Sequence, residues 1–158
     1  REDLEKNLAL VGKKSLIKVL DSLQSFLSSS EMQDDSKSSY ADKMRKEDAL
    51  INWNKDAALI NRQIRSGIGR LPAYTFLDKE RVRILSGEVE ELLKQSNPPG
   101  EIIEQKKESF TVACGEGNLC ISRIQMPGKK PVTVKDLKNA RPELFVPGKR
   151  FNTDLTHQ

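Results

Sequence analysis

Tyr74-Thr75-Phe76-Leu77-Asp78-Lys79-Glu80-Arg81-Val82-Arg83-Ile84 is the stretch whose reading decides the fold. Beyond Pro72 the apolar period becomes two. Tyr74, Phe76, Val82 and Ile84 alternate with Thr75, Arg81 and Arg83, the pattern of a β-hairpin with one buried and one wet face. Further strand candidates run from Val89 to Leu93, Gly100 to Gln105, Phe110 to Cys114 and Leu119 to Gln125. About five short strands separated by turns, with one helix before them, predict a mainly β fold built as a small closed or nearly closed barrel.

Outward from the hairpin, the preceding helix is legible in its spacing. Asn54 is placed to N-cap it, Trp53 and Ala58 hold the hydrophobic-staple positions, Ala57, Ile60 and Ile64 form an inward stripe, and Gly67 ends it. After the barrel, Thr133 and Asp136 stand three apart like a capping box with Asp in the Glu position, which predicts a short closing helix.

The first part of the chain has a different texture. Leu4, Leu8 and Val11 repeat at helical spacing up to Gly12, a candidate C-terminal cap, and Leu16, Val19, Leu20, Leu23 and Leu27 make a second stripe, so two short helices are expected. Residues 28–39 have the serine-rich composition of a linker. The division expected is therefore a helical segment at 1–27, a linker at 28–39 and the barrel domain at 40–158. An apolar stripe needs a surface to cover, which points to a packing partner upstream or to self-association through residues 16–27.

Charge follows the same division. Of the 27 Lys/Arg and 23 Asp/Glu in the 158-residue chain, residues 1–39 hold six against seven, leaving 21 against 16 for residues 40–158. The basic excess of the barrel part suits an anionic partner. No apolar run approaches the roughly 18 residues of a membrane span, so no membrane association is expected. The opening Arg1-Glu2-Asp3 lacks the basic-then-apolar order of a secretory signal, and a cytoplasmic setting is the expectation.

Catalytic residue types are sparse. The single histidine is His157, one residue from the end, where a frayed tail is the expected state. Cys114 and Cys120, without further Cys or an internal His, do not make a zinc site. If Gly115 to Asn118 forms a four-residue hairpin loop, Cys114 faces Leu119 and Cys120 points to the opposite side of the sheet, so two reduced structural thiols are expected. Gly115-Glu116-Gly117 joins strand to strand with no helix N-terminus after it, and reads as a turn, not a phosphate loop.

The basic residues cluster where the expected fold exposes them. Lys43, Arg45 and Lys46 lie where the linker enters the barrel, Arg62 and Arg65 lie off the apolar stripe of their helix, and Arg81 and Arg83 alternate onto a wet strand face. Lys129 and Lys130 sit in a Gly-Lys-Lys-Pro loop. Together they could present one electropositive surface of the kind small barrels use on nucleic acid. Trp53, Tyr74 and Phe76 are assigned to the core, which disfavours base stacking relative to recognition of backbone and shape.

Tyr40-Ala41-Asp42-Lys43-Met44, Lys46-Glu47-Asp48 and Ile51-Asn52-Trp53 resemble the passage from linker to C-terminal domain in bacterial methionyl-tRNA formyltransferases, and Arg62-Gln63-Ile64-Arg65 resembles the helix that follows. Gln125-Met126-Pro127-Gly128-Lys129-Lys130, Asp136-Leu137 and Phe145-Val146-Pro147-Gly148-Lys149-Arg150-Phe151 are similar to that family's closing stretch in order and spacing. The resemblance implies an oligonucleotide-binding-type barrel that helps hold initiator methionyl-tRNA, with residues 1–27 as the end of the catalytic domain. It gives Lys43 and Lys46 a contact with tRNA. Formyl transfer from 10-formyltetrahydrofolate belongs to an N-terminal domain using Asn, His and Asp, so no cofactor is expected to bind this chain and it is expected to be inactive alone. The chain departs from the family at Gly67-Ile68-Gly69-Arg70-Leu71-Pro72, where an Asn-Pro-Trp-Pro-like run is usual and a more flexible turn is expected here. The rival readings are a related formyltransferase acting on a sugar nucleotide, a formyltetrahydrofolate hydrolase, and a barrel that only packs against its own catalytic domain.

Overall fold

The computed structural model describes residues 2–67, 69–90 and 97–152, and the chain divides into two compact units between Met44 and Arg45. His157, Ile68 and the end of the expected Val89–Leu93 strand lie outside the described residues.

The first unit carries α1 (Glu2–Asp21) and α2 (Leu23–Ser28). The break expected at Gly12 lies instead at Ser22, whose φ is −134°. A single glycine costs a helix only about 1 kcal/mol, and good helix formers on both sides carry α1 through it. Leu4, Leu8, Leu16, Leu20 and Leu27, which carry the two stripes, are each about 60% exposed. A one-turn 3-10 helix at Asp35–Lys37 interrupts the serine-rich stretch, its Asp34 side chain accepting from the Ser36 amide.

The second unit is built on a sheet of β1 (Tyr74–Leu77), β2 (Glu80–Glu90), β3 (Ile102–Gln105), β4 (Phe110–Ala113), β5 (Asn118–Gln125) and β6 (Val132–Thr133). The strand order is β1-β2-β5-β4-β3, with β6 added to β5. Every named pairing is antiparallel. The expected separate strand at Val89 is the continuation of β2, which passes through irregular register on either side of Ser86 and runs on along β5. The irregularity at Ser86-Gly87 is a bulge, not a strand end.

The stretch at 149–152 closes the sheet. Along it the Ile102 amide donates to the Lys149 carbonyl at 2.8 Å and the Phe151 amide to the Gly100 carbonyl at 2.8 Å, while Phe76 and Asn152 exchange backbone bonds at 3.1 and 2.9 Å. One short segment thus joins the edge of β3 to the edge of β1, giving a curled, OB-like barrel. Gly100 has φ +89°, and a Cβ there would stand 2.7 Å from the Phe151 carbonyl oxygen, so the closure needs glycine at that crossing. Behind it the rings stack, Trp53 on Phe151 with centroids 5.4 Å apart and Phe110 on Phe145 at 4.4 Å.

α3 (Ala57–Gly67) buries Ala57, Ile60, Ile64 and Gly67 as its spacing predicts. Its cap is Asp56, whose carboxylate accepts from the Ala58 and Leu59 amides, not Asn54. Asn54 is committed elsewhere. Its carbonyl lies where a Cβ on Gly115 would come within 1.9 Å, and the first helical amide, Ala57, donates to the Glu116 carbonyl at 2.9 Å. The Gly115–Gly117 turn therefore clips the start of the helix. α4 (Val134–Ala140) begins at Thr133, whose hydroxyl accepts from the Asp136 amide at 3.1 Å, as the capping-box spacing predicts.

The first hairpin corrects the expected face assignment. A two-residue turn, Asp78 and Lys79 at φ 48° and 68°, pairs Leu77 with Glu80, Thr75 with Val82 and Tyr74 with Arg83. Because Val82 faces the core, Thr75 must face it too, and both are 0% exposed. The Thr75 hydroxyl is fully used there, accepting from the Trp53 indole N–H at 2.9 Å and donating to the Asn152 carbonyl at 3.0 Å. Trp53 is core as expected. Tyr74 and Phe76 are not: they stand on the outer face.

Candidate nucleic-acid interface

That outer face brings aromatic and cationic side chains together. Phe76 stands across from Arg81 and Tyr74 across from Arg83, and the Arg81 guanidinium carbon lies 3.7 Å above the Tyr74 ring. Arg83 continues the row to β5, donating to the Gln125 side-chain oxygen at 3.0 Å. The Gln125 amide nitrogen in turn donates to the Lys129 carbonyl at 2.8 Å, and the Lys129 amide closes a turn on the Met126 carbonyl at 3.1 Å. This holds the loop bearing the exposed Lys129 and Lys130 beside the two arginines. A cleft of about 180 Å³ lies between them, lined by Arg81, Arg83, Gln125 and residues 126–128.

Arg62 and Arg65 are exposed on α3, but not on this face. The helix lays Ile60 and Ile64 in the core with Val82 and Ile84, on the side of β2 opposite to Arg81 and Arg83. The Gln63 amide nitrogen donates to the Asp48 carbonyl at 2.8 Å and the Leu50 carbonyl at 3.0 Å, tying the 3-10 turn Glu47–Ala49 to α3. Arg45 and Lys46, which lead into that turn, therefore belong with the helix. The expected single surface resolves into two sets in this unit: Arg81, Arg83, Lys129 and Lys130 on the outer sheet face, and Arg45, Lys46, Arg62 and Arg65 around α3. Lys43 is exposed in the other unit.

Among the described residues, ion pairs engage some cations of the chain and none of these nine, and Lys55, Arg70, Lys79, Lys107 and Arg123 are likewise without one. Lys106, Lys135, Arg141 and Lys149 are ion-paired with Glu90, Glu108, Glu80 and Asp78. Burial pulls the Glu90 carboxyl upward, but the Lys106 ammonium at 2.6 Å and the Thr111 hydroxyl outweigh it and leave the carboxyl below its ordinary range. The same contact with Glu90 raises the Lys106 ammonium above its ordinary value.

Both thiols are free, and burial pushes Cys114 up to about 12. The register differs by two from the expected loop: Ala113 faces Asn118 and Val112 faces Leu119, so Cys114 sits in the turn. Cys120 faces Thr111, on the other side of the sheet from Val112 and Phe110. Among the described residues no three His, Cys, Asp or Glu side chains group as metal ligands, and no helix is long and apolar enough to cross a membrane.

A curled, OB-like barrel with cations beside half-buried aromatics on its outer sheet face defines a small barrel module of the oligonucleotide-binding type. The chain belongs to the formyl transferase C-terminal domain family, whose model matches residues 43–142. It is 37% identical to methionyl-tRNA formyltransferase of Stutzerimonas stutzeri over 145 residues, 92% of this chain and 45% of that protein. It is 34% identical to the same enzyme of Ectopseudomonas mendocina over an equal span. The chain thus spans about half the length of these curated relatives and matches their C-terminal part. Among solved structures, HypX from Aquifex aeolicus superposes with a TM-score of 0.54 at 19% identity, covering 77% of this chain and 22% of that one. HypX in complex with tetrahydrofolic acid gives 0.53 over 76% and 22%. These two likenesses concern the fold.

Proposed function

We propose that this chain is the tRNA-holding portion of a methionyl-tRNA formyltransferase and performs no chemistry by itself. Family membership supports the formyltransferase part of the reading, and the observation that carries the tRNA-holding part is the gathering of Arg81, Arg83, Lys129 and Lys130 around one cleft and loop on the outer sheet face. Initiator methionyl-tRNA would meet Lys43, Arg45 and Lys46 at the entry to the barrel, with Arg62 and Arg65 on the helix and Arg81, Arg83, Lys129 and Lys130 on the sheet face extending the contact. Lysine and arginine attract phosphate without reading sequence, so these contacts position the tRNA. The formyl donor, 10-formyltetrahydrofolate, would be bound by the N-terminal catalytic part. That part would also cover the apolar strip of Leu16, Leu20, Leu23 and Leu27; in its absence the strip favours self-association. The setting is that of translation initiation in the cytoplasm.

The entry lysines give the first test. Replacing Lys43 and Lys46 by Ala is expected to weaken binding of initiator methionyl-tRNA and to make the log-log salt slope shallower by about one to two units, since each phosphate contact contributes roughly 0.7–0.9. Thermal stability is expected to change little, because exposed charges contribute within about 0.5 kcal/mol. A double variant that binds like the parent removes the entry segment from the interface.

A further inference from the structure

We infer that the RNA-contacting face continues past the Arg81–Arg83 cleft into a second groove, in which Arg123 holds a further phosphate of the same RNA. This rests on the tRNA-holding reading above. The register places Arg123 on the outer row: Arg83 pairs with Gln125 facing outward, Ile84 with Ile124 facing the core, and Ser86 with Arg123 facing outward again. Arg81, Arg83 and Arg123 therefore line one side of the β2–β5 ladder at successive outward positions.

The ladder opens at that point. Leu85 and Ser122 drop out of the pairing, one on each strand, and bulges of this kind bend strands and re-aim side chains. A groove of about 650 Å³ lies there, lined among others by Ser86, Ser122, Arg123, Thr133 and Lys135. β6 forms its other wall, pairing Thr133 with Arg123 and Val132 with Ile124, so the loop carrying Lys129 and Lys130 joins the two strands that flank the groove.

Two carboxylates also line the groove, and both are occupied within the protein. Glu108 is held by Lys135 at 2.9 Å, and the Asp136 carboxylate accepts from the Thr133 hydroxyl at 2.7 Å at the start of α4. Arg123 is exposed, and no ion pair engages it among the described residues. Its guanidinium fork is thus free for an external anion, with the Ser86 and Ser122 hydroxyls lining the same groove as further donors. An arginine fork with neighbouring hydroxyls matches a phosphodiester. Beyond the groove the outer row turns acidic at Glu88 and Glu90, so the cationic track ends there.

The test uses the full 158-residue chain with initiator methionyl-tRNA, titrated at several salt concentrations. Arg123→Ala is expected to lower affinity and to make the log-log slope shallower by roughly 0.7–0.9, one phosphate contact. Arg123→Glu is expected to weaken binding further, and Arg123→Lys to keep the parent slope, because charge and not packing is at issue. Circular dichroism melts of the three variants should overlay the parent. An Arg81→Ala, Arg83→Ala double variant runs alongside. If that variant weakens binding while Arg123→Ala matches the parent in affinity and slope, the groove is overturned and the wider reading stands. If the parent itself does not bind, both are overturned. An Arg123→Lys variant as weak as Arg123→Ala, with a lowered melting temperature, would also overturn the phosphate contact in favour of a packing role.

Discussion

Replacing Trp53 by Ala is expected to lower the unfolding free energy of the barrel unit by about 3–5 kcal/mol, the range for deleting a large buried aromatic side chain. Trp53 is 2% exposed, stacks on Phe151 and gives its indole N–H to Thr75 at 2.9 Å. Its loss opens a cavity behind the 149–152 closure and strips the buried Thr75 hydroxyl of its donor. Small domains hold only about 5–15 kcal/mol in total, so the variant should show a large fall in urea midpoint, followed by circular dichroism because Trp53 is the only tryptophan. Trp53→Phe separates the two contributions. It keeps a ring against Phe151 and loses the hydrogen bond, which should cost about 1–3 kcal/mol. A Trp53→Ala midpoint within error of the parent would contradict the placement of this residue at the seam of the barrel.

That seam shows where the sequence was readable and where it was not. The α3 stripe of Ala57, Ile60 and Ile64 is local, repeats at helical spacing and was legible without any tertiary knowledge. The Thr133–Asp136 cap was legible for the same reason. Closure of β1 onto 152 depends on partners 76 residues apart, and no periodicity reports such a pairing.

The faces of β1 failed for a subtler reason. Tyr74 and Phe76 look like core residues, but a two-residue turn at Asp78-Lys79 forces even-numbered positions of β1 opposite odd-numbered positions of β2, placing both aromatics beside the arginines. Neither turn residue is glycine although both adopt positive φ, so the usual hairpin signal was missing. The outer-face placement of Tyr74 and Phe76 and that of Arg123 were illegible for one reason. Both depend on register, and the bulges at Leu85 and Ser122 shift the phase of β2 and β5 in a way alternation alone does not report.

The second large effect concerns the outer sheet face. Changing Arg81, Arg83, Lys129 and Lys130 together to Ala is expected to make the log-log salt slope of tRNA binding shallower by about three units, since four phosphate contacts contribute roughly 0.7–0.9 each. The four share one cleft and loop, whereas Arg62 and Arg65 lie across the core from them, so a matching Arg62→Ala, Arg65→Ala double variant should remove no more than two contacts. Tyr74 provides an independent readout on the same face. With Arg81 gone its ring face is uncovered, and a base stacking there would leave part of the affinity insensitive to salt. A quadruple variant that keeps the parent slope would move the tRNA off the sheet face and leave the α3 side as the interface.

The measurement that tests the central reading most directly is a fluorescence anisotropy titration of initiator methionyl-tRNA with the unaltered chain, repeated at several salt concentrations. Log affinity is predicted to fall linearly with log salt, with a slope of about −0.7 to −0.9 for every phosphate contacted. A titration that shows no binding, or binding that does not respond to salt, would contradict the account and leave the barrel as a module that packs only against its own catalytic domain.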